Sequence, residues 1–156
     1  MENYDEVRDV VSIPFTAGFN WSVGLLMEKF IQALADKKIL GSKCPQCGYV
    51  YVPPRTRCGT CCAKMSGENL VAVPAKGILT GFTTAHIQMD GAGKYVDLQQ
   101  PAAIAAVKLE GADSTLFLPM AQCPLKDLAP GMPVEVKWRA ETKGEIADLE
   151  YVKPLL

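Results

Sequence analysis

Two C-x-x-C pairs, Cys44-Pro45-Gln46-Cys47 and Cys58-Gly59-Thr60-Cys61, fall within eighteen positions, with ten residues between Cys47 and Cys58. A C-x-x-C turn aims two sulfurs into one cavity, and two such turns facing each other supply a tetrahedral four-thiolate site. Gly48, directly after the first pair, permits the tight backbone approach to sulfur. Tyr49-Val50-Tyr51-Val52 reads as a short β-run, and Pro53-Pro54 turns the chain back toward the second pair. The spacing therefore predicts a zinc ribbon that binds one structural zinc through Cys44, Cys47, Cys58 and Cys61. Iron in a rubredoxin-like electron carrier is the competing occupant, and nothing else in the chain supports a redox role. Closed four-sulfur coordination leaves no position for water or substrate, which argues against catalysis by the metal. Cys62, beside Cys61, is an alternative fourth ligand; the C-x-x-C geometry favours Cys61 and leaves Cys62 as a spare, buried thiol. Cys123, alone in a later segment, reads as a small core residue.

The acidic start, Met1-Glu2-Asn3-Tyr4-Asp5-Glu6, is unlike a signal peptide, and no run approaches a membrane span. The expected location is the cytoplasm, where thiols stay reduced and a disulfide framework is disfavoured. Length and composition suit one ordinary domain or two small ones. Net charge is −1, with 16 Lys and Arg against 17 Asp and Glu, so there is no basic excess to neutralise phosphates. Nucleic-acid binding by a ribbon and barrel remains the alternative reading, weakened by this charge balance.

Before the ribbon, Val23, Leu26, Phe30, Ile31 and Leu34 recur at helical spacing, predicting a helix from Asn20 or Ser22 to about Ile39. Asn20 or Ser22 would cap it, with Lys37, Lys38 and Gly41 at its end. A helix beside a small metal module can spend its apolar stripe on a partner, so Trp21, Leu26 and Phe30 are candidate partner-binding residues. From about Val71 the texture becomes β. The expected strands are Gly77–His86, Ala102–Leu109, Thr115–Ala121, Pro133–Arg139 and Glu145–Val152, separated by Gly-, Pro- and Asp-rich turns. Five short strands suit an OB-type Greek-key barrel. The fold class is mainly β with an N-terminal helix: an extension and helix at 1–41, a rubredoxin-like zinc ribbon at 42–70, and a five-stranded OB-fold domain at 71–156.

Catalytic signatures are missing. His86 is the one histidine, and there is no phosphate loop, dinucleotide fingerprint or nucleophile elbow. Gly91-Ala92-Gly93-Lys94 reads as a hairpin tip.

The order of motifs resembles a known family. A helix leads into Cys44-Pro-Gln-Cys-Gly, then Pro53-Pro54-Arg55 before Cys58-x-x-Cys61. Gly77-x-Leu79-x-Gly81-Phe82-Thr83 follows, then Pro101 to Gly111, then Leu128-x-Pro-Gly131-Met132-x-Val134-x-Val136. This order is similar to the zinc-ribbon plus OB-fold family called domain of unknown function thirty-five, over roughly residues 25 to 145. The resemblance implies an accessory subunit of a thiolase-fold enzyme acting on acyl-coenzyme A, non-catalytic alone, with a thiolase of aromatic-acid degradation as the expected setting. On that footing, Arg55 and Arg57 would meet coenzyme A phosphates, and Phe82 and Tyr95 would line the acyl or pantetheine path. The chain departs from the family's pattern in its second knuckle, Cys58-Gly-Thr-Cys61-Cys62, and in an extended N-terminus holding Trp21.

Overall fold

The computed structural model describes Gly18, residues 21–90 and residues 92–155. The first element is helix α1, Leu25–Ala35, shorter than the periodicity implies. Its N-cap is Gly24, with φ of 80° and no side-chain cap, so Ser22 does not cap the helix; Asn20 lies outside the described residues. The helix stops at a left-handed residue, Lys37 with φ of 57°. Lys37 N–H donates to Leu34 O at 2.9 Å and Lys38 N–H to Ala33 O at 3.0 Å, the paired closure of a Schellman motif. Gly41 is therefore not the helix terminator. It lies in strand β1, Ile39–Lys43, where an added Cβ would stand 2.9 Å from Tyr51 O and 3.1 Å from the Val50 and Val52 side chains.

β1 is the centre of a three-stranded antiparallel sheet, flanked by β2, Val50–Tyr51, and β3, Leu70–Val73. The second sheet is a closed barrel of β4 (Lys76–Met89), β5 (Tyr95–Leu109), β6 (Leu116–Met120), β7 (Pro133–Trp138) and β8 (Leu149–Pro154). Its order is β4-β5-β6-β8-β7, with β7 pairing back to β4. All pairings are antiparallel except β6 with β8, which meet at Met120 and Val152. This is the five-stranded OB-fold barrel. Gly77 sits where β4 pairs with both neighbours, opposite Leu109 and Val134, and a Cβ there would fall on the Lys108 carbonyl.

Two strands are longer than their hydrophobic runs. β4 runs on to Met89 and β5 begins at Tyr95, so the hairpin between them extends past the barrel wall. Asp90 shapes its tip by accepting from Ala92 N–H at 2.9 Å and Lys94 N–H at 2.8 Å. One expected strand, Glu145–Val152, is instead a 3-10 turn, Ile146–Asp148, leading into β8. The cause is Asp148, a fully buried carboxylate that accepts from the backbone N–H groups of Lys143, Gly144 and Glu145 at 2.7–3.2 Å.

Burial raises the Asp148 pKa, but these three donors and Arg139 at 3.9 Å outweigh it and hold the carboxyl below its ordinary value. A carboxylate lowered in the folded state stabilises the fold above its unfolded value of about 3.9. That contribution is lost as pH falls through the lower folded value. Thermal melts should therefore show the midpoint dropping below about pH 4. Asp148→Asn, which aims an NH2 at backbone donors, should melt several degrees lower at neutral pH with a flatter acid limb. An unchanged acid limb would remove Asp148 from that account.

A single core joins all three parts. Phe30 and Leu34 of α1 pack with Ile39, Val50, Val52 and Val73 of the small sheet and with barrel residues such as Leu79, Val107, Val134 and Val152. Hydrogen bonds from the β5–β6 turn bind the two sheets together. Asp113 N–H donates to Val50 O, while its carboxylate accepts from Val50 N–H, both at 2.9 Å. Ser114 Oγ accepts from Val52 N–H at 2.7 Å and donates to Val52 O at 3.0 Å.

Candidate metal centre

The two C-x-x-C pairs form equivalent turns at one end of the small sheet. In the first, Gly48 N–H donates to Cys44 O at 3.0 Å and Cys44 N–H to Tyr49 O at 2.8 Å. In the second, Cys62 N–H donates to Cys58 O at 3.1 Å and Cys58 N–H to Ala63 O at 3.0 Å. Position by position, Cys62 therefore stands where the first turn has Gly48, and both adopt positive φ, 60° and 76°. That backbone role, rather than metal ligation, is what the structure gives Cys62. The expectation that Cys62 is buried is corrected: its place in the turn leaves it exposed. Cys123 is half-buried against the barrel core.

Cys44, Cys47, Cys58 and Cys61 bring their four Sγ atoms within 4.8 Å of one another, the metal-competent cluster among the described residues. Four thiolates around zinc at about 2.3 Å stand about 3.8 Å apart. Cys44 and Cys61 are 3.4 Å apart and Cys47 and Cys58 3.5 Å, so the sulfurs lie at nearly the spacing a tetrahedral ion needs. Cys44 and Cys58 are buried, Cys61 is half-buried and Cys47 is exposed.

The proton balance of the cluster points the same way. The backbone N–H of Cys47 is the main influence holding the Cys44 thiol below its ordinary value. The Tyr51 hydroxyl, 3.4 Å from Cys58 Sγ, takes the Cys58 thiol down to about 5, with the backbone of Cys61 and Thr60 assisting against burial. For Cys47 and Cys61 the result is reversed. The Tyr49 N–H favours the Cys47 thiolate, but burial and the Cys44 and Cys58 sulfurs push that thiol up. The Ala63 N–H likewise favours the Cys61 thiolate, yet burial and the other three sulfurs push it up to about 12. Within each turn the surroundings thus lower one thiol and raise the other. A bound dication lets all four ionise, which is the chemistry of a structural zinc site. The zinc ribbon thus holds one metal ion through these four cysteines.

Tyr51 is a member of the site that sequence reasoning passed over as part of a β-run. Its hydroxyl accepts from Gly59 N–H at 2.8 Å, and its ring lies 4.5 Å from that of Tyr49. With Cys44, Cys58 and Met65 it forms a small separate core beneath the metal. An aromatic inside the loop joining the two pairs was the signal available.

The other candidate residues do not converge. Arg55 and Arg57 line an open cavity of about 350 Å³ with Pro54 and the first residues of α1. The Arg55 guanidinium stands 5.2 Å from the Tyr51 ring centroid, and Arg57 Nη1 donates to Cys62 O at 3.2 Å. Phe82 and Tyr95 are exposed on the β4–β5 hairpin and line no part of that cavity. Leu26 and Phe30 are corrected as partner-binding residues: they are 3% and 1% exposed, and Phe30 lies in the chain's own core. Trp21 is 87% exposed. No helix among the described residues is long and apolar enough to cross a membrane.

Comparison with known proteins places this geometry. The rubredoxin-like zinc ribbon domain of ChsH2 matches residues 32–64. A DUF35 domain-containing scaffold protein of Methanocaldococcus jannaschii is 32% identical over 102 residues, 65% of this chain and 67% of the relative. A DUF35-family protein of unknown function from Sulfolobus solfataricus superposes with a TM-score of 0.56 at 23% identity, covering 82% of this chain and 84% of that one. A chain of the Ltp2-ChsH2(DUF35) aldolase superposes with a TM-score of 0.60 at 16% identity, over 88% of this chain and 100% of that one. At these identities the two structural likenesses concern the fold.

Proposed function

The chain belongs to the DUF35 family, and from that premise we propose that it is the zinc-bearing, non-catalytic scaffold subunit of a thiolase-fold enzyme acting on acyl-coenzyme A thioesters. The observation that carries the reading is the closed set of four cysteine sulfurs, which holds a sheet together and leaves the metal no open position for substrate. Two similarities support it. The Methanocaldococcus relative is described as a scaffold protein, and the aldolase matched in fold pairs a DUF35 component with Ltp2. The division of labour is then physical. Catalytic groups belong to the large subunit, and zinc supplies the rigidity that the ribbon's small core cannot.

In its finer form, Arg55 and Arg57 meet coenzyme A phosphates at the cavity beside α1, and Trp21 adds to the contact with the large subunit. Tyr95 belongs to a different surface, treated below. A tagged chain purified from its native host, with zinc and iron measured in the same sample, tests the reading. A thiolase-fold protein in near-stoichiometric amount with one zinc per chain is the expected result. A chain that purifies alone, or with single-stranded nucleic acid, overturns it. In the assembled enzyme, replacing Arg55 and Arg57 by Ala should raise KM for the thioester and leave kcat unchanged.

A further inference from the structure

The β4–β5 hairpin is built for contact with another surface. From Thr80 to Met89, β4 pairs only with β5, and from Tyr95 to Ala102, β5 pairs only with β4. The register breaks between Ala85 and Ile87, where the intervening Leu98-Gln99-Gln100-Pro101 has no partner in the ladder, and an arm continues beyond the break. Ile87, Met89, Tyr95 and Val96 on this arm are all more than half exposed, Tyr95 reaching 76%. Met89 is directly opposite Tyr95, while Val96 is opposite Gln88 in the adjacent pair. Adjacent pairs face opposite ways, so both faces of the arm carry apolar side chains. The patch continues onto the barrel's outer wall through Ile104 and Phe117, the latter 68% exposed. From Thr80 to Val107 the chain has three charged residues, Asp90, Lys94 and Asp97, in a protein that is 21% charged.

Resting on the scaffold reading above, we infer that this arm and the adjoining β5–β6 wall are the surface that docks into an uncharged apolar cleft of the partner enzyme. In barrels of this type, the second and third strands and the loop before them bind oligonucleotides or oligosaccharides. Here those strands are β5 and β6. With Lys94 as the one lysine or arginine of the segment, the surface cannot neutralise a phosphate backbone, and its exposed Ile, Met, Tyr, Val and Phe side chains suit apolar protein. Ile87, Met89, Tyr95, Val96, Ile104 and Phe117 are exposed apolar side chains on sparsely charged strands, the mark of a protein-binding patch.

A second copy of this chain is the poorer occupant. Two arms stacked face to face would leave the second apolar face of each in water. A cavity of about 550 Å³ that a second copy offers is lined by Lys37, Glu135, Lys137, Arg139, Glu150 and Lys153. Those charges would lose their hydration against Ile, Met and Val without gaining a partner. A cleft in a different protein covers both faces at once.

The test uses the full chain and the thiolase-fold subunit identified by the purification above. Met89→Asp with Val96→Asp should weaken the complex roughly tenfold or more, with zinc content and melting midpoint unchanged. Ile146→Asp, an exposed apolar site elsewhere on the barrel, should leave binding unchanged. Amides of 86–98 should exchange slowly in the complex and fast in the free chain. Undiminished binding by the arm variant overturns the inference and leaves the scaffold reading standing. If the wild-type chain yields no thiolase-fold subunit, the scaffold reading fails and takes this assignment with it. A wild-type chain that sediments as a dimer, with the arm variant a monomer, assigns the arm to a second copy and overturns the inference on different grounds.

Discussion

Cys44→Ser abolishes zinc binding and unfolds the ribbon. The buried Cys44 sulfur is 3.4 Å from that of Cys61 and is one of four that together complete a closed shell. A serine hydroxyl in its place is neither ionised nor soft, so a closed tetrahedral site becomes an open one. Structural zinc contributes on the order of 10–16 kcal/mol of apparent binding energy to small ribbons, and that energy is folding energy. The residual core beneath the metal is four buried side chains, Cys44, Tyr51, Cys58 and Met65, too small to hold the turns without it. Zinc per chain should fall from one toward zero, and amides from 44 to 61 should exchange at nearly unprotected rates. Cys62→Ser should keep its zinc, because Cys62 serves the turn's backbone and not the metal. Full zinc and unchanged exchange in Cys44→Ser would contradict the structural role given to the ion.

Phe30→Ala should destabilise the isolated chain by about 3–5 kcal/mol, the usual loss when a fully buried aromatic leaves a cavity. Phe30 is 1% exposed and contributes to the core that α1, the small sheet and the barrel share. With alanine there, the helix would lose its anchor to both sheets at once. Denaturant melts of the chain alone, without any partner, decide the question, because a residue that merely docks would leave them unchanged. Any weakening of complex formation by this variant would then follow from instability.

Much of this molecule is legible in the sequence, for reasons that differ by element. The metal site is legible because its chemistry is local: each C-x-x-C pair makes its own turn, and ten intervening residues set the distance between turns. The barrel is legible because period-two alternation, as in Val134, Val136 and Trp138, reports a half-buried strand directly. Features set by long-range contact are not legible in this way. The helix ends at Lys37, in a left-handed conformation that lysine seldom adopts, because the chain must turn there to enter the sheet. Burial of Phe30 depends on a barrel that begins forty-six residues later. Asp113 and Ser114 look like turn residues, yet their hydrogen bonds reach across 62 or 63 positions to β2. The outer half of the β4–β5 hairpin lacks the one-sided alternation of a barrel strand, so its strands read short.

The unpaired edges of that hairpin also bear on how the chain must be produced. Between Thr80 and Met89, alternate residues of β4 turn backbone donors and acceptors toward an edge that no third strand occupies. Bare edges flanked by apolar side chains and few charges are templates for strand addition, including addition to other copies in an overexpressing cell. Production of the chain in excess should therefore lead to insoluble material, with edge charges or a proline near residue 96 as the remedy. On the docking inference above, balanced synthesis with the partner that covers the arm serves solubility as well as function.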